Sequence, residues 1–112
     1  MARKKAANPL SECMAEDDSG FVMTLPASLP GETAVHMADA ILTARSNPLR
    51  LDASAVERID TTCIQVLLSA ARLWREDGMP MSFNGNSPIL EGNLSTLGLT
   101  AAELEVGDLN HA

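Results

Sequence analysis

The side chains able to do chemistry gather between Asp52 and Gln65: two carboxylates (Asp52, Asp60), two adjacent hydroxyls (Thr61, Thr62), a thiol (Cys63) and an amide (Gln65). A carboxylate pair works as acid and base only when a pocket brings the two together, and the surrounding sequence builds none. Asp52 and Asp60 read as turn formers whose oxygens accept from nearby amides. A phosphate-accepting aspartate at the end of a strand would also need an acidic pair after the first strand and a downstream lysine. The only lysines are Lys4 and Lys5. Cys63, at a helix start, suits a low-pKa thiolate and hence a thiol enzyme. No base accompanies it, so a small buried residue is the simpler reading. His36 falls on the polar face of a helix and His111 in the tail, both solvated rather than ligating. No Gly-rich phosphate loop, Gly-x-Ser-x-Gly elbow or metal-ligand spacing is present. Catalytic, cofactor and metal sites are therefore not expected.

One local feature remains. Thr62 followed three residues on by Gln65 fits a capping box, hydroxyl to one orphan amide and Gln side chain to another. Thr61 is then left outside the helix with its hydroxyl accessible. A helix N-terminus favours a phosphate placed there, which makes Thr61 a candidate phosphorylation site.

Those residues are held by the run from Leu49 to Gly78, LRLDASAVERIDTTCIQVLLSAARLWREDG. It opens as a strand with Leu49, Leu51 and Ala53 on one face, and then the period changes from two to 3.6 near Thr61. In the helix, Gln65, Ser69, Arg72 and Glu76 form a narrow polar stripe, and the remaining apolar arc spans roughly 220° at about 100° per residue. That width fits a helix packed on a sheet and touched by a neighbour or partner. Its burial contributes on the order of 10 kcal/mol before ordering entropy is subtracted.

Around this run, Phe21–Leu25 reads as a strand closed by Pro26, and Glu32–Ser46 as an amphipathic helix stopped by Asn47-Pro48. Gly78 is a C-cap, and Pro80–Asn84 is a strand. Ser87-Pro88 starts a third helix, Pro88–Leu97, with Leu97-Gly98-Leu99 as a Schellman ending. Leu104–Val106 is a candidate last strand. Residues 1–19 are expected to be a flexible segment holding at most a short strand after Leu10, with 20–112 as one domain.

The 112-residue chain can bury one core. Its net charge of −7 argues against nucleic acid or anionic membrane as partner. No apolar run nears the roughly 20 residues that span a bilayer. Cys13 and Cys63 do not form a secreted disulfide framework, so both are read as free thiols and the protein as cytoplasmic. Alternating strands and helices predict an α/β fold, a single small sheet of mixed strands covered by helices, with an all-helical fold as the competitor.

The residues Leu51, Asp52, Ser54, Val56, Ile59, Asp60, Thr61 and Thr62 resemble the signature of STAS domains, the family of anti-sigma factor antagonists. Ser87-Pro88 and Leu97-Gly98-Leu99 are similar to its third helix and ending. The resemblance covers about residues 21–99. It implies a non-enzymatic module whose partner has a histidine-kinase-type ATP-binding fold, with the hydroxyl after Asp60, that of Thr61, as phosphoacceptor. Cys63 stands where the family usually has Gly. The run around Glu57-Arg58 together with Cys63, Gln65, Val66 and Leu67 looks closest to small STAS proteins of chemotaxis operons, which implies a chemotaxis histidine kinase as partner. The implied surface is Asp52, Glu57, Arg58, Asp60, Thr61, Thr62 and Gln65. A STAS subunit of a lipid-transport ATPase is the alternative.

Overall fold

The computed structural model describes residues 10–85 and 87–107. The basic tail at 1–9 and the acidic tail with His111 lie outside the described residues.

The central sheet has four strands, β1 (Met14–Asp17), β2 (Gly20–Thr24), β4 (Leu49–Asp52) and β6 (Met81–Gly85), in the order β1-β2-β4-β6. β1 runs antiparallel to β2, whereas β2, β4 and β6 are mutually parallel, so the sheet is mixed as expected. β1 is the short strand expected after Leu10. A second ladder joins β3 (Ser28–Leu29) to β5 (Arg58–Ile59) in parallel. Strands of two residues are too short to show a period, so this ladder leaves no mark in the sequence.

The alternation in β4 is realised: Leu49 and Leu51 are buried, Arg50 and Asp52 half-buried. Met23 lies opposite Leu51, and Met81 opposite Leu49, so these side chains share the covered face. On the other face Arg50 pairs with Asp17 across β2. Three helices complete the fold: α1 (Ala34–Leu42), α2 (Thr61–Asp77) and α3 (Pro88–Thr96). α1 is shorter than the expected Glu32–Ser46. A 3₁₀ turn, Gly31–Thr33, precedes it, and after Leu42 the chain unwinds through i→i−3 bonds to Ser46, at φ 72°, and the helix-stopping Asn47-Pro48.

α2 uses its wide arc as predicted. Cys63, Ile64, Leu67, Ala70, Ala71 and Trp74 are buried, with α1 against one flank and a 3₁₀ turn at Ala101–Leu104 against the other. The Trp74 indole N–H donates to the carbonyl of Asn47 at 2.7 Å, tying α2 to the loop that enters β4. Gly78, at φ 72°, caps the helix as a left-handed residue. α3 ends in the expected Schellman motif, Leu99 N–H to Leu94 O at 2.8 Å and Gly98 N–H to Ser95 O at 2.9 Å. The expected last strand is reduced to one antiparallel bridge between Val106 and Met81, because Ala101–Leu104 is wound into the 3₁₀ turn by a capping box of Thr100 and Glu103.

Candidate partner-binding site

The site lies where β4 ends and α2 begins, at the carboxyl ends of the parallel strands, where α/β folds present their loops. Asp52 closes β4, and its Oδ1 accepts from the Ser54 amide at 3.0 Å and from the Ser54 hydroxyl at 2.7 Å. Gly85, on the neighbouring strand, abuts this turn so closely that a Cβ there would sit 2.5 Å from Asp52 Oδ1. The chain then crosses Val56, whose carbonyl accepts from the buried Ser87 hydroxyl at 2.9 Å. The same Ser87 oxygen accepts from the amides of Ile89 and Leu90, so one side chain both caps α3 and anchors the crossing. Glu57 and Arg58 are exposed, their amides donating to Ala27 O at 2.7 and 2.9 Å.

Asp60 follows, its amide donating to Leu29 O at 2.9 Å. Here the structure corrects the capping expectation. Asp60, not Thr62, is the N-cap: its backbone is extended, and its Oδ2 accepts from the Thr62 amide at 3.0 Å and the Thr62 hydroxyl at 2.6 Å. A carboxylate is a stronger acceptor for the helix amides than a hydroxyl, so Thr62 becomes a donor to it. Gln65 then stands too far along the helix to close a capping box. Thr61 is the first residue of the helix rather than outside it. It is exposed, and its hydroxyl makes no side-chain hydrogen bond among the described residues.

Both carboxyls are held below the usual aspartate range for the same reasons. The hydroxyl two residues on contributes most and its amide next, against a small opposing effect of desolvation. Cys63 is fully buried. Its thiol turns inward to the carbonyls of Pro30 (3.4 Å) and Leu29 (3.6 Å) and to the Thr33 hydroxyl (3.4 Å). The thiol is thus enclosed between α2 and the Leu29–Thr33 segment.

The structure gathers Arg58 and Asp60 along one shallow cleft of about 200 Å³ with Gly31, and places Thr62 and Gln65 on the rim of a second groove between α1 and α2. Asp52 belongs to the separate Ser54–Gly85 cluster, and Glu57 sits on the crossing between the two. The sequence reading missed Gly31 and Gly85. A Cβ on Gly31 would lie 3.1 Å from Asp60 Oδ2 and 3.2 Å from Thr62 Oγ1, a tightness set by packing between distant segments. Among the described residues no group of His, Cys, Asp and Glu is arranged to hold a metal ion, and no helix is long and apolar enough to cross a membrane.

A mixed sheet flanked by helices, with an exposed hydroxyl at a capped helix start, defines a small α/β domain. The chain belongs to the STAS domain family: the family described as "Mlab, STAS domain" matches residues 14–106. Domains of this family generally mediate protein–protein interactions. A solved structure described as "Crystal Structure Analysis of Mglu" shares the fold, with a TM-score of 0.63 and 16% identity over 80% of this chain and 23% of that one. No curated protein matches the chain.

Proposed function

We propose that the domain binds a cytoplasmic signalling kinase with a histidine-kinase-type ATP-binding fold, a chemotaxis kinase or a kinase-type anti-sigma factor, and that phosphate on Thr61 releases it. The carrying observation is the exposed, unbonded Thr61 hydroxyl at the first position of α2, next to the Asp60 carboxylate. Phosphorylation adds about two negative charges there. The helix N-terminus tolerates them, whereas an interface already accommodating Asp60 becomes repulsive. Arg58, Asp60, Thr62 and Gln65 form the contact surface around it, with Asp52 and Glu57 at its edge.

The test uses the purified ATP-binding domains of the host's chemotaxis and anti-sigma kinases, titrated calorimetrically with three proteins: wild type, Thr61→Ala and Thr61→Glu. The expected result is wild-type-like binding by Thr61→Ala and binding at least about tenfold weaker by Thr61→Glu, equivalent to about 1.4 kcal/mol. Equal binding by the two variants removes the switch. A second reading, a constitutive STAS subunit of a lipid-transport ATPase, uses the same surface. The apolar groove beside Thr62 favours it, since permanent interfaces are the more apolar ones. Tight binding to such an ATPase, indifferent to Thr61→Glu, would select it.

A further inference from the structure

The groove between α1 and α2 extends away from Thr61 and is not explained by the switch. Its volume is about 360 Å³, with Ala38 and Leu42 on one wall, Val66, Ser69 and Leu73 on the other, and Trp74 at its base. Val35 and Leu42 are 67% and 49% exposed, the two largest exposures among the described large apolar side chains. With Ala38 they form an i, i+3, i+7 stripe, the spacing with which one helix meets another. The two helices differ in charge. α1 carries Asp39, with Glu32 in the turn just before it, both exposed and in no ion pair among the described residues, and α1 contains no Lys or Arg. On the α2 side the ridge of Gln65, Ser69, Arg72 and Glu76 is balanced.

We infer that this groove receives an amphipathic helix of the partner protein, its apolar stripe laid between α1 and α2 and its basic flank on the Glu32–Asp39 side. Helix-in-groove docking needs such an apolar floor, into which the incoming helix sets its own i, i+3, i+7 anchors. The one-sided acidic rim sets the direction of charge complementarity. The inference rests on the partner-binding reading for the choice of face but not on phosphorylation of Thr61.

Trp74, the only tryptophan of the chain, serves as reporter. A short leucine–lysine amphipathic helical peptide and its leucine–glutamate twin are titrated into the full chain, following tryptophan fluorescence and backbone amide NMR shifts. The lysine peptide is expected to shift Trp74 emission and the amides of α1 and α2, and the glutamate twin to bind at least about tenfold more weakly. Val35→Asp with Leu42→Asp is expected to weaken the lysine peptide at least about tenfold, and Ile89→Asp with Leu97→Asp, at the start and the C-cap of α3, to leave it unchanged. Unchanged circular dichroism and melting of these surface variants show that they fold. Several results overturn the inference: equal binding of the two peptides, shifts mapping to α3 or the sheet, no binding, or a concentration-dependent dimer abolished by Val35→Asp. None of them touches the Thr61 comparison, so the two readings fail separately.

Discussion

Two turns eight residues apart, Asp52-Ala53-Ser54 and Asp60-Thr61-Thr62, are built alike and do different things. In each, one carboxylate oxygen takes both the amide and the hydroxyl of the residue two positions on, at 2.6–3.0 Å, and in each a glycine from a distant segment closes against it. The first turn ends a strand and is sealed by Gly85 on the neighbouring strand. The second starts a 17-residue helix, and its middle residue faces outward. The same local chemistry is therefore a structural clasp in one place and a display platform in the other. What differs is the element that follows. A helix contributes aligned amides and a partial positive charge, whereas the loop after Asp52 contributes neither.

The largest expected separation between the turns comes from their glycines. Gly85→Ala puts a Cβ 2.5 Å from Asp52 Oδ1 and 3.0 Å from Ser54 Cβ, and Gly31→Ala puts one at 3.1 Å from Asp60 Oδ2. Overpacking of the first kind costs about 2 kcal/mol, and the second should cost under about 1 kcal/mol. Urea unfolding of both variants checks the order, and a larger loss for Gly31→Ala would reverse the comparison.

Next in size is the loss of the carboxylates. Asp60→Ala removes the cap of α2 and should lower the melting temperature more than Asp52→Ala, which opens only a loop turn. Asp60→Asn should keep most of the stability, since asparagine caps as well as aspartate. Equal losses for the two alanine variants would mean that the helix end contributes nothing beyond the turn.

The smallest effect is in pH. Both carboxyls titrate below their unfolded value near pH 4. Their contribution is thus fully present above that value and is lost as pH falls through the lower folded value. Melting temperature should fall as the pH drops below about 4, and less steeply in the Asp52→Asn/Asp60→Asn double variant. Asp60 is exposed and Asp52 only half-buried, so solvent screening keeps the effect modest.

Much of this architecture was legible in the residues because it is periodic. The alternation of Leu49, Leu51 and Ala53, the wide arc of α2 and the Ser87-Pro88 start all survive as predicted. The misreadings have one cause, competition that a local pattern does not register. Thr62 and Gln65 match a capping box, but Asp60 is a better acceptor and lies one step earlier. Leu104–Val106 matches a strand, but Thr100 and Glu103 wind the chain preceding it. The two-residue ladder of β3 with β5, and the fit of Gly31 and Gly85, depend on segments about 30 residues apart in sequence. Cys63 was legible as buried from its place on the apolar arc. That its thiol turns toward Leu29, Pro30 and Thr33 was not.

The central claim is that Asp60 holds the Thr62 hydroxyl and leaves that of Thr61 reachable. Its most direct test is to incubate the intact protein with ATP and the host kinase that binds it, then map phosphate by peptide mass spectrometry. The account predicts phosphate on Thr61 and none on Thr62. Phosphate on Thr62 with Thr61 unmodified, or on neither, would contradict it.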